Sequence, residues 1–586
     1  MTIKCINSIL FKSANVIDGT GCTPAFNANV LVKDGYIETI QPLGDDNDLK
    51  DVSDHNARVI DCENGKWTLC PGFIDMHAHS DLSLLHTPKH LAKITQGVTL
   101  DVVGQDGISY SPVTDTSMAR IRKQIAGWNG NPSEPPDFFD RWRSVKEYLD
   151  VLDHSKIAVN AAYLVPQGNL RILVKGWDKS PCTQEEIDLM KNHLHTAFKD
   201  GAVGMSSGLT YVPGMFADNA ELTQLCRVVK QYDGYFCPHH RSYGKGAIQA
   251  YAEMLDLARK TGIRLHLTHA TLNFPENAGR ADELIAMIDA ALEEGLDITL
   301  DTYPYLPGST TLAALLPSWV SSADNKLDIL SDGEQLAKIR HQALILGTDG
   351  CMGCTLDWDT IEIGGVQNPS LAEPYVGKTI DQIAREEGKD AFDVWIEILK
   401  ADDFGTTIMQ HAGHEGNVRK IMRHRVHTGG SDGILTSTKP HPRGWGTFAR
   451  YLGHYHRDLS QGKSRNITGT QGSVGGDIFE SVEPETIFAG GLVEVVSHLT
   501  GRPAAILRLR DRGLVKEGYR ADLLLFDADT ISDAATFAVP EQPAKGIRTV
   551  MVNGTIAVNE GKPTGARAGK TIRLREVKRD AEYVVS

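Results

Sequence analysis

Apolar and polar positions along the chain follow two regimes. Over roughly the first sixty residues and the last eighty, short β-branched runs alternate with turn residues. ANVLVKDGYIETIQP (28–42) sets Asp34-Gly35 between two such runs, and IRTVMVNGTIAVNEGKP (547–563) sets Asn553-Gly554 the same way. Both are hairpin signals, because Asp-Gly and Asn-Gly accept the left-handed backbone of a tight turn. Two β-rich ends around a long middle predict one small β domain assembled from both termini.

The middle alternates. Apolar runs recur near 70–77, 98–103, 157–164, 202–206, 235–239, 263–268, 297–302 and 426–431. Helix-period segments lie between many of them, such as EEIDLMKNHLHTAFKD (185–200) and ADELIAMIDAALEEG (281–295). About eight β units with intervening helices predict an α/β fold, a TIM-like (β/α)8 barrel, with an open doubly wound sheet as the alternative. Roughly 120 residues separate the seventh run from the eighth, and a connection of that length is usually a lid or inserted subdomain. The expected layout is a small β-sandwich domain from 1–68 and 501–586, around a barrel over 69–500 with a lid at about 304–425.

In such a barrel the functional groups project from the C-terminal ends of the strands. PGFIDMHAHSD (71–81) places His77 and His79 after the first run, pointing the same way on an extended strand end. Asp106 follows the second run, His239 the fifth, His269 the sixth and Asp432 the eighth. Each has an ordinary reading alone: a turn aspartate, a core histidine, a helix cap. Their recurrence at one end of separate strands predicts a divalent-metal site, because imidazole with carboxylate suits zinc or a similar ion.

Composition narrows the field. The 586 residues carry a formal net charge of -15, which argues against a nucleic-acid backbone or an anionic membrane as main partner. No uninterrupted apolar run approaches the ~20 residues that span a bilayer. No signal peptide is legible, and nine scattered cysteines suit reduced thiols, so the expected protein is soluble and cytoplasmic, acting on a small molecule. Oligomeric state is not readable. Cys351 and Cys354 form a lone CxxC, read as loop thiols. His454 and His456 read as helix-surface residues, His240 as lying outside the metal cluster. His411 and His414 fall in the insert without a role. Gly204-Met-Ser206-Ser-Gly208 fits G-x-S-x-G, but LTYVPG after it is not the helix that a serine nucleophile needs.

PGFIDMHAHSD, the strand-end His239 and His269, GSDG and the closing DRGLVKEGYRADLLLFD resemble the amidohydrolase superfamily. VVGQDGIS, GMSSGLTYVPGMFA, DTYPYLPGSTTL, HPRGWGTFARYLGHY and VMVNGTIAVNEGKPTGARAGK are similar to the N-acyl-D-amino-acid deacylases (D-aminoacylases) within it. The likeness runs from about residue 13 to 575. It implies that His77, His79, His239 and His269 are ligands to one or two zinc ions, with Asp432 the catalytic acid/base and a further metal contact. Tyr211, Tyr303 and Arg443 match positions expected to touch substrate. Two departures stand out. Asp106 takes the place where these deacylases often have a cysteine; as a harder ligand it shifts preference toward Mn2+ or Co2+, and it can bridge two metals. Some superfamily members bridge with a lysine on the fourth strand, but AVGMSSG has none. Thr271 replaces a lysine that helps hold the substrate carboxylate, which leaves that task to Arg443, with Arg241 as a second candidate. The implied activity is hydrolysis of an N-acyl-D-amino acid by water activated at the metal, the D preference resting on the resemblance. A cyclic-amide hydrolase of the hydantoinase or dihydroorotase kind, a D-residue dipeptidase or another amidase is the alternative. A serine hydrolase and a metal-free scaffold are the rivals from other classes.

Overall fold

The structure, a computed structural model, describes residues 8–44, 57–132, 135–465 and 479–574. Eight parallel strands make the barrel: β1 Phe73–Asp75, β2 Val98–Val103, β3 Asn160–Pro166, β4 Gly204–Gly208, β5 Tyr235–His239, β6 Arg264–Leu267, β7 Ile298–Thr302 and β8 His427–Gly429. Each pairs with the next in parallel. A parallel bridge between Ala78 and Gly433 joins the two ends, and Asp432 N donates to His77 O at 2.8 Å. The strands read as unbroken apolar runs because both faces are covered. Ile74, Leu100, Val102, Ala162 and Leu164 fill the barrel interior, while Phe73, Val98, Val103, Tyr163 and Val165 pack outward. Ala504, Ile506, Leu507 and Ile572 join the interior cluster from the far end of the sequence.

Local signals set the helix starts. Thr183 caps helix Gln184–Asp200 through a reciprocal pair with Glu186, and Ser144 caps Val145–Ser155 through Glu147. Each box satisfies amide groups that a helix end leaves open.

Both predicted hairpins are present. Asp34 and Gly35 have φ of 50° and 88°, Asn553 and Gly554 of 48° and 78°, as a two-residue turn with both φ positive requires. The strands of the two termini form one continuous nine-stranded sheet, in which Thr68–Pro71 pairs with Leu523–Phe526. Strand Ser8–Val16 is bulged between Phe11 and Ala14, pairing with Arg58–Asp61 before the bulge and with Thr68 and Leu69 beyond it. Phe11, Val30, Leu69 and Leu525 belong to its own apolar core. The sheet thus reaches Pro71, immediately before the barrel's first strand. The chain returns once more, since Thr571–Ile572 adds in parallel to β3.

Between β7 and β8 lies a three-stranded antiparallel sheet, Gly308–Thr311, Ile361–Gly365 and Thr407–Gln410, with short helices around it. Its core is separate from the barrel's and includes Leu312, Ile363, Trp395 and Ile408. No helix among the described residues is long and apolar enough to cross a membrane.

Candidate metal centre

The predicted ligands converge. His77 and His79 leave the end of β1; Asp106 sits in the turn after β2; His239 ends β5; His269 follows β6; Asp432 follows β8. Asp106, His269 and Asp432 have φ of 55°, 32° and 48°, a left-handed backbone that costs a non-glycine residue energy and marks a site that the fold over-determines. Gly107 and Gly208 let the loop after β2 lie against β4: a Cβ on Gly208 would stand 2.1 Å from the Asp106 carbonyl oxygen.

All six side chains are buried. His79 Nε2 is 3.1 Å from Asp432 Oδ1 and 3.5 Å from Asp106 Oδ2. His77 Nε2 is 3.6 Å from Asp432 Oδ1 and 3.7 Å from Asp106 Oδ1. His239 Nδ1 lies 3.4 Å from Asp106 Oδ2 and 3.1 Å from His269 Nε2, which is 3.5 Å from Asp106 Oδ1. Two groups result, His77–His79–Asp106–Asp432 and Asp106–His239–His269, each with its ligand atoms within 4.8 Å of one another. Asp106 belongs to both.

These residues fit divalent metal. Both ring nitrogens of His77 and Oδ1 of Asp106 are buried without a hydrogen-bond partner, where buried polar atoms are otherwise nearly always paired. Nitrogen and carboxylate donors in two overlapping sets make a candidate binuclear site.

Burial takes the pKa of His77 down to about 4, against the pull of Asp106 and Asp432, so its ring is neutral at pH 7. Burial opposes a proton on His79 too, but hydrogen bonds to Asp106 and Asp432 outweigh it and raise that group to about 10. For Asp432, burial is overcome by the Arg443 guanidinium and the neighbouring histidines, which hold the carboxyl well below its ordinary range. Asp106 is likewise held down, mainly by His239, His77 and His269 against its own burial.

Behind the ligands stands a layer that sequence reasoning missed. Asp75 Oδ1 accepts from His77 N at 3.1 Å and Ser431 N at 2.8 Å, while its other oxygen pairs with Lys93 Nζ. Lys93 Nζ also donates to Ser431 Oγ at 2.7 Å. This fully buried ring ties the β1 and β8 ligand loops together. Asp301 accepts from His266 Nε2 at 3.0 Å and His269 N at 2.9 Å. Thr210 Oγ1 meets His239 Nε2 at 2.7 Å. Asp301 had a signal, a carboxylate inside the apolar run ITLDT. Lys93, in a helix-like LAKI, looks like any surface lysine.

Among the predicted substrate contacts, three are at the centre. Arg443 is fully buried; Nη1 lies 2.9 Å from Asp432 Oδ2 and the guanidinium sits 4.5 Å over the Tyr303 ring. Its Nε makes no hydrogen bond. Tyr211 packs 4.8 Å from the His239 ring, and its hydroxyl meets Thr310 Oγ1 at 3.2 Å. Arg241 is a correction. Its Nε binds Glu253 at 3.0 Å, and Nη1 and Nη2 donate to the carbonyls of Met215 and Ala217. It braces a loop onto helix Ala247–Thr261 rather than presenting a free fork to substrate.

The remaining motifs resolve simply. His240 packs between Tyr243 and Tyr251, outside both ligand groups. His454 is buried within the π-helical segment Tyr451–Asp458 rather than on its surface; His456 is half-buried. Ser206 lies inside β4 and donates to Gly104 O at 2.6 Å, so G-x-S-x-G is no nucleophile turn here. Cys351 and Cys354 are free, buried thiols in the lid core. His411 pairs with Glu362 at 2.9 Å, and His414 binds Phe274 O at 2.7 Å. Thr271 Oγ1 is engaged with Asn273 Oδ1 at 2.8 Å.

An eight-stranded barrel carrying histidines and aspartates at its strand ends is the site architecture of metal-assisted hydrolases. The Amidohydrolase family model matches residues 58–558, and the chain belongs to that family, whose chemistry is hydrolysis of amide bonds. It is similar to D-aminoacylase from Alcaligenes xylosoxydans xylosoxydans, 30% identical over 96% of this chain and 97% of that one. N-acyl-D-glutamate deacylase from the same organism is 30% identical over 96% of both chains. Among solved structures, N-acyl-D-glutamate deacylase from Bordetella bronchiseptica, complexed with zinc and a phosphonate mimic of the tetrahedral intermediate, superposes with TM-score 0.76 at 28% identity, covering 97% of this chain and 99% of that one. A D-aminoacylase structure gives TM-score 0.74 at 30% identity, covering 96% and 99%.

Proposed function

We propose that the protein hydrolyses N-acyl-D-amino acids to a carboxylate and a free D-amino acid, with zinc as its metal. The observation that carries the reading is Arg443. The guanidinium has no exposure, is paired with Asp432 Oδ2 at 2.9 Å through Nη1 and keeps Nε without a hydrogen bond, so it has donor capacity left for a second anion. The α-carboxylate of an N-acyl amino acid supplies that anion at fixed distance from the scissile amide, and a planar fork binds both its oxygens. The D preference is carried over from the similar deacylases.

His77, His79, His239, His269, Asp106 and Asp432 would hold one or two ions. A divalent ion there supplies Lewis acidity toward a carbonyl and lowers the pKa of water. The chain's own residues do the rest. Asp432, kept ionised, takes a proton from water and passes it to the leaving nitrogen. While Arg443 pairs with Asp432 it weakens that base; a substrate carboxylate that draws the guanidinium away restores it. Tyr211, whose hydroxyl is kept protonated chiefly by burial, offers a donor to the oxyanion.

The test is amino-acid release from paired N-acetyl-D- and N-acetyl-L-amino acids, before and after chelation. Release from D forms alone, abolished by chelation, is expected. Release from neither series by metal-loaded protein overturns the reading and turns attention to cyclic amides and dipeptides.

A further inference from the structure

The metal centre has two unlike surroundings. Around Asp432 the wall is closed and polar, with Arg443 buried over Tyr303. Around His239 and His79 the wall is Thr210, Tyr211 and Trp128, with the Trp128 ring 5.6 Å from that of His79. These three residues also line a cavity of about 500 Å³. Beyond them its lining includes Ile125, Val212 and Met215 from the barrel side and Ala314, Leu316 and Phe404 from the lid. Charge enters the lining with offsetting signs: Arg120, Lys123 and Lys326 against Asp324, Asp328 and Asp403. Arg120 and Asp324 are already paired at 2.8 Å. About half of the lining is apolar, and its charges cancel, which leaves no net charge with which to select an ionic group.

The volume lies within the ~300–1,000 Å³ range of pockets that enclose whole small molecules. A two-carbon acetyl group would leave nearly all of it filled with water. Burying apolar surface against such walls is favourable for each methylene added.

We propose that this cavity receives the acyl half of the substrate, and that the acyl group is an extended apolar chain rather than acetyl. The proposal rests on the deacylase reading. With the α-carboxylate at Arg443, the amino-acid half takes the closed polar side, and the acyl half leaves the scissile bond toward Thr210, Tyr211 and Trp128. The cavity is thus a specificity element built jointly by the segments after β2 and β4 and the lid.

The experiment measures kcat/KM for N-acetyl-, N-butyryl-, N-hexanoyl-, N-octanoyl- and N-decanoyl-D-leucine. A rise of about three- to fourfold per added methylene is expected until the cavity is filled. Ala314→Phe, which fills the lid side, is expected to flatten that rise. A flat or falling series in the unaltered protein overturns the proposal. Should no N-acyl amino acid of any length be hydrolysed, the deacylase reading has failed and the cavity is tested separately with decanoate. Saturable quenching of tryptophan fluorescence, weakened by A314F, supports an apolar-chain site; no binding overturns it.

Discussion

The two ligand groups share Asp106 yet are braced in different ways. His77, His79 and Asp432 stand on a buried ionic ring of Lys93, Asp75 and Ser431, with Arg443 against the Asp432 carboxylate. His239 and His269 are held by a threonine hydroxyl and by a backbone amide that donates to Asp301. The first group is fixed by charges that must stay paired, because an unpaired buried charge is expensive. The second relies on hydrogen bonds, worth about 1 kcal/mol for the neutral one and about 1.5–3 kcal/mol for the one to the carboxylate. The first is therefore expected to be the rigid, high-affinity half and the second the adjustable one.

Removing the shared ligand should erase the distinction. Asp106→Ala is expected to lose most of the bound metal from both groups and leave no measurable turnover, checked by elemental analysis beside an activity assay. Asp432→Asn keeps the histidines, so metal should remain while kcat falls by about 10²–10⁴. Near-normal turnover would remove Asp432 from its assigned role. Lys93→Met should act on the first group alone, lowering its metal affinity by about 10–100-fold and leaving the second intact. A calorimetric titration that resolves two binding steps reads this directly; equal weakening of both would show that the brace is general.

Acid sharpens the same contrast. In metal-free protein His79 sits near 10, so it carries a proton at neutral pH that a bound metal must displace. Affinity at the first group should rise about tenfold per pH unit between pH 7 and 9, with proton release seen in weakly buffered titrations. For the metal-free fold the sign is opposite. A histidine raised from 6.5 to about 10 contributes stability in full below pH 6.5 and loses it as pH rises through 10. The smallest effect belongs to Thr210→Val, which removes one partner from His239 and should cost at most about tenfold in affinity at the second group.

The barrel and the cluster at its rim were legible because strand ends convert sequence order into spatial convergence. His77, Asp106, His239, His269 and Asp432 are far apart in the chain, but each follows an apolar run, and a closed parallel barrel brings all such positions to one rim. Arg241 misled because nearness to His239 says nothing about where a long side chain points; Glu253 and two carbonyls claim it. His454 misled because it lies on the buried face of a helical segment whose His456 and Arg457 are half-exposed. The Lys93 ring was invisible, since its members are meaningful only after β8 closes on β1. The cavity was invisible for a similar reason: its walls come from residues 120–128, 210–215 and the lid, and no periodicity records their meeting.

The pairing of Thr68–Pro71 with Leu523–Phe526 has a consequence for synthesis. Strands made near the start of translation wait for partners made near its end. At roughly 5–20 residues per second, the intervening stretch takes on the order of half a minute or more to emerge. Through that interval Leu69 and its neighbours keep an open strand edge, a template for pairing with another nascent chain. A ribosome that stalls late would release a chain that already carries all eight barrel strands and an adhesive margin still exposed.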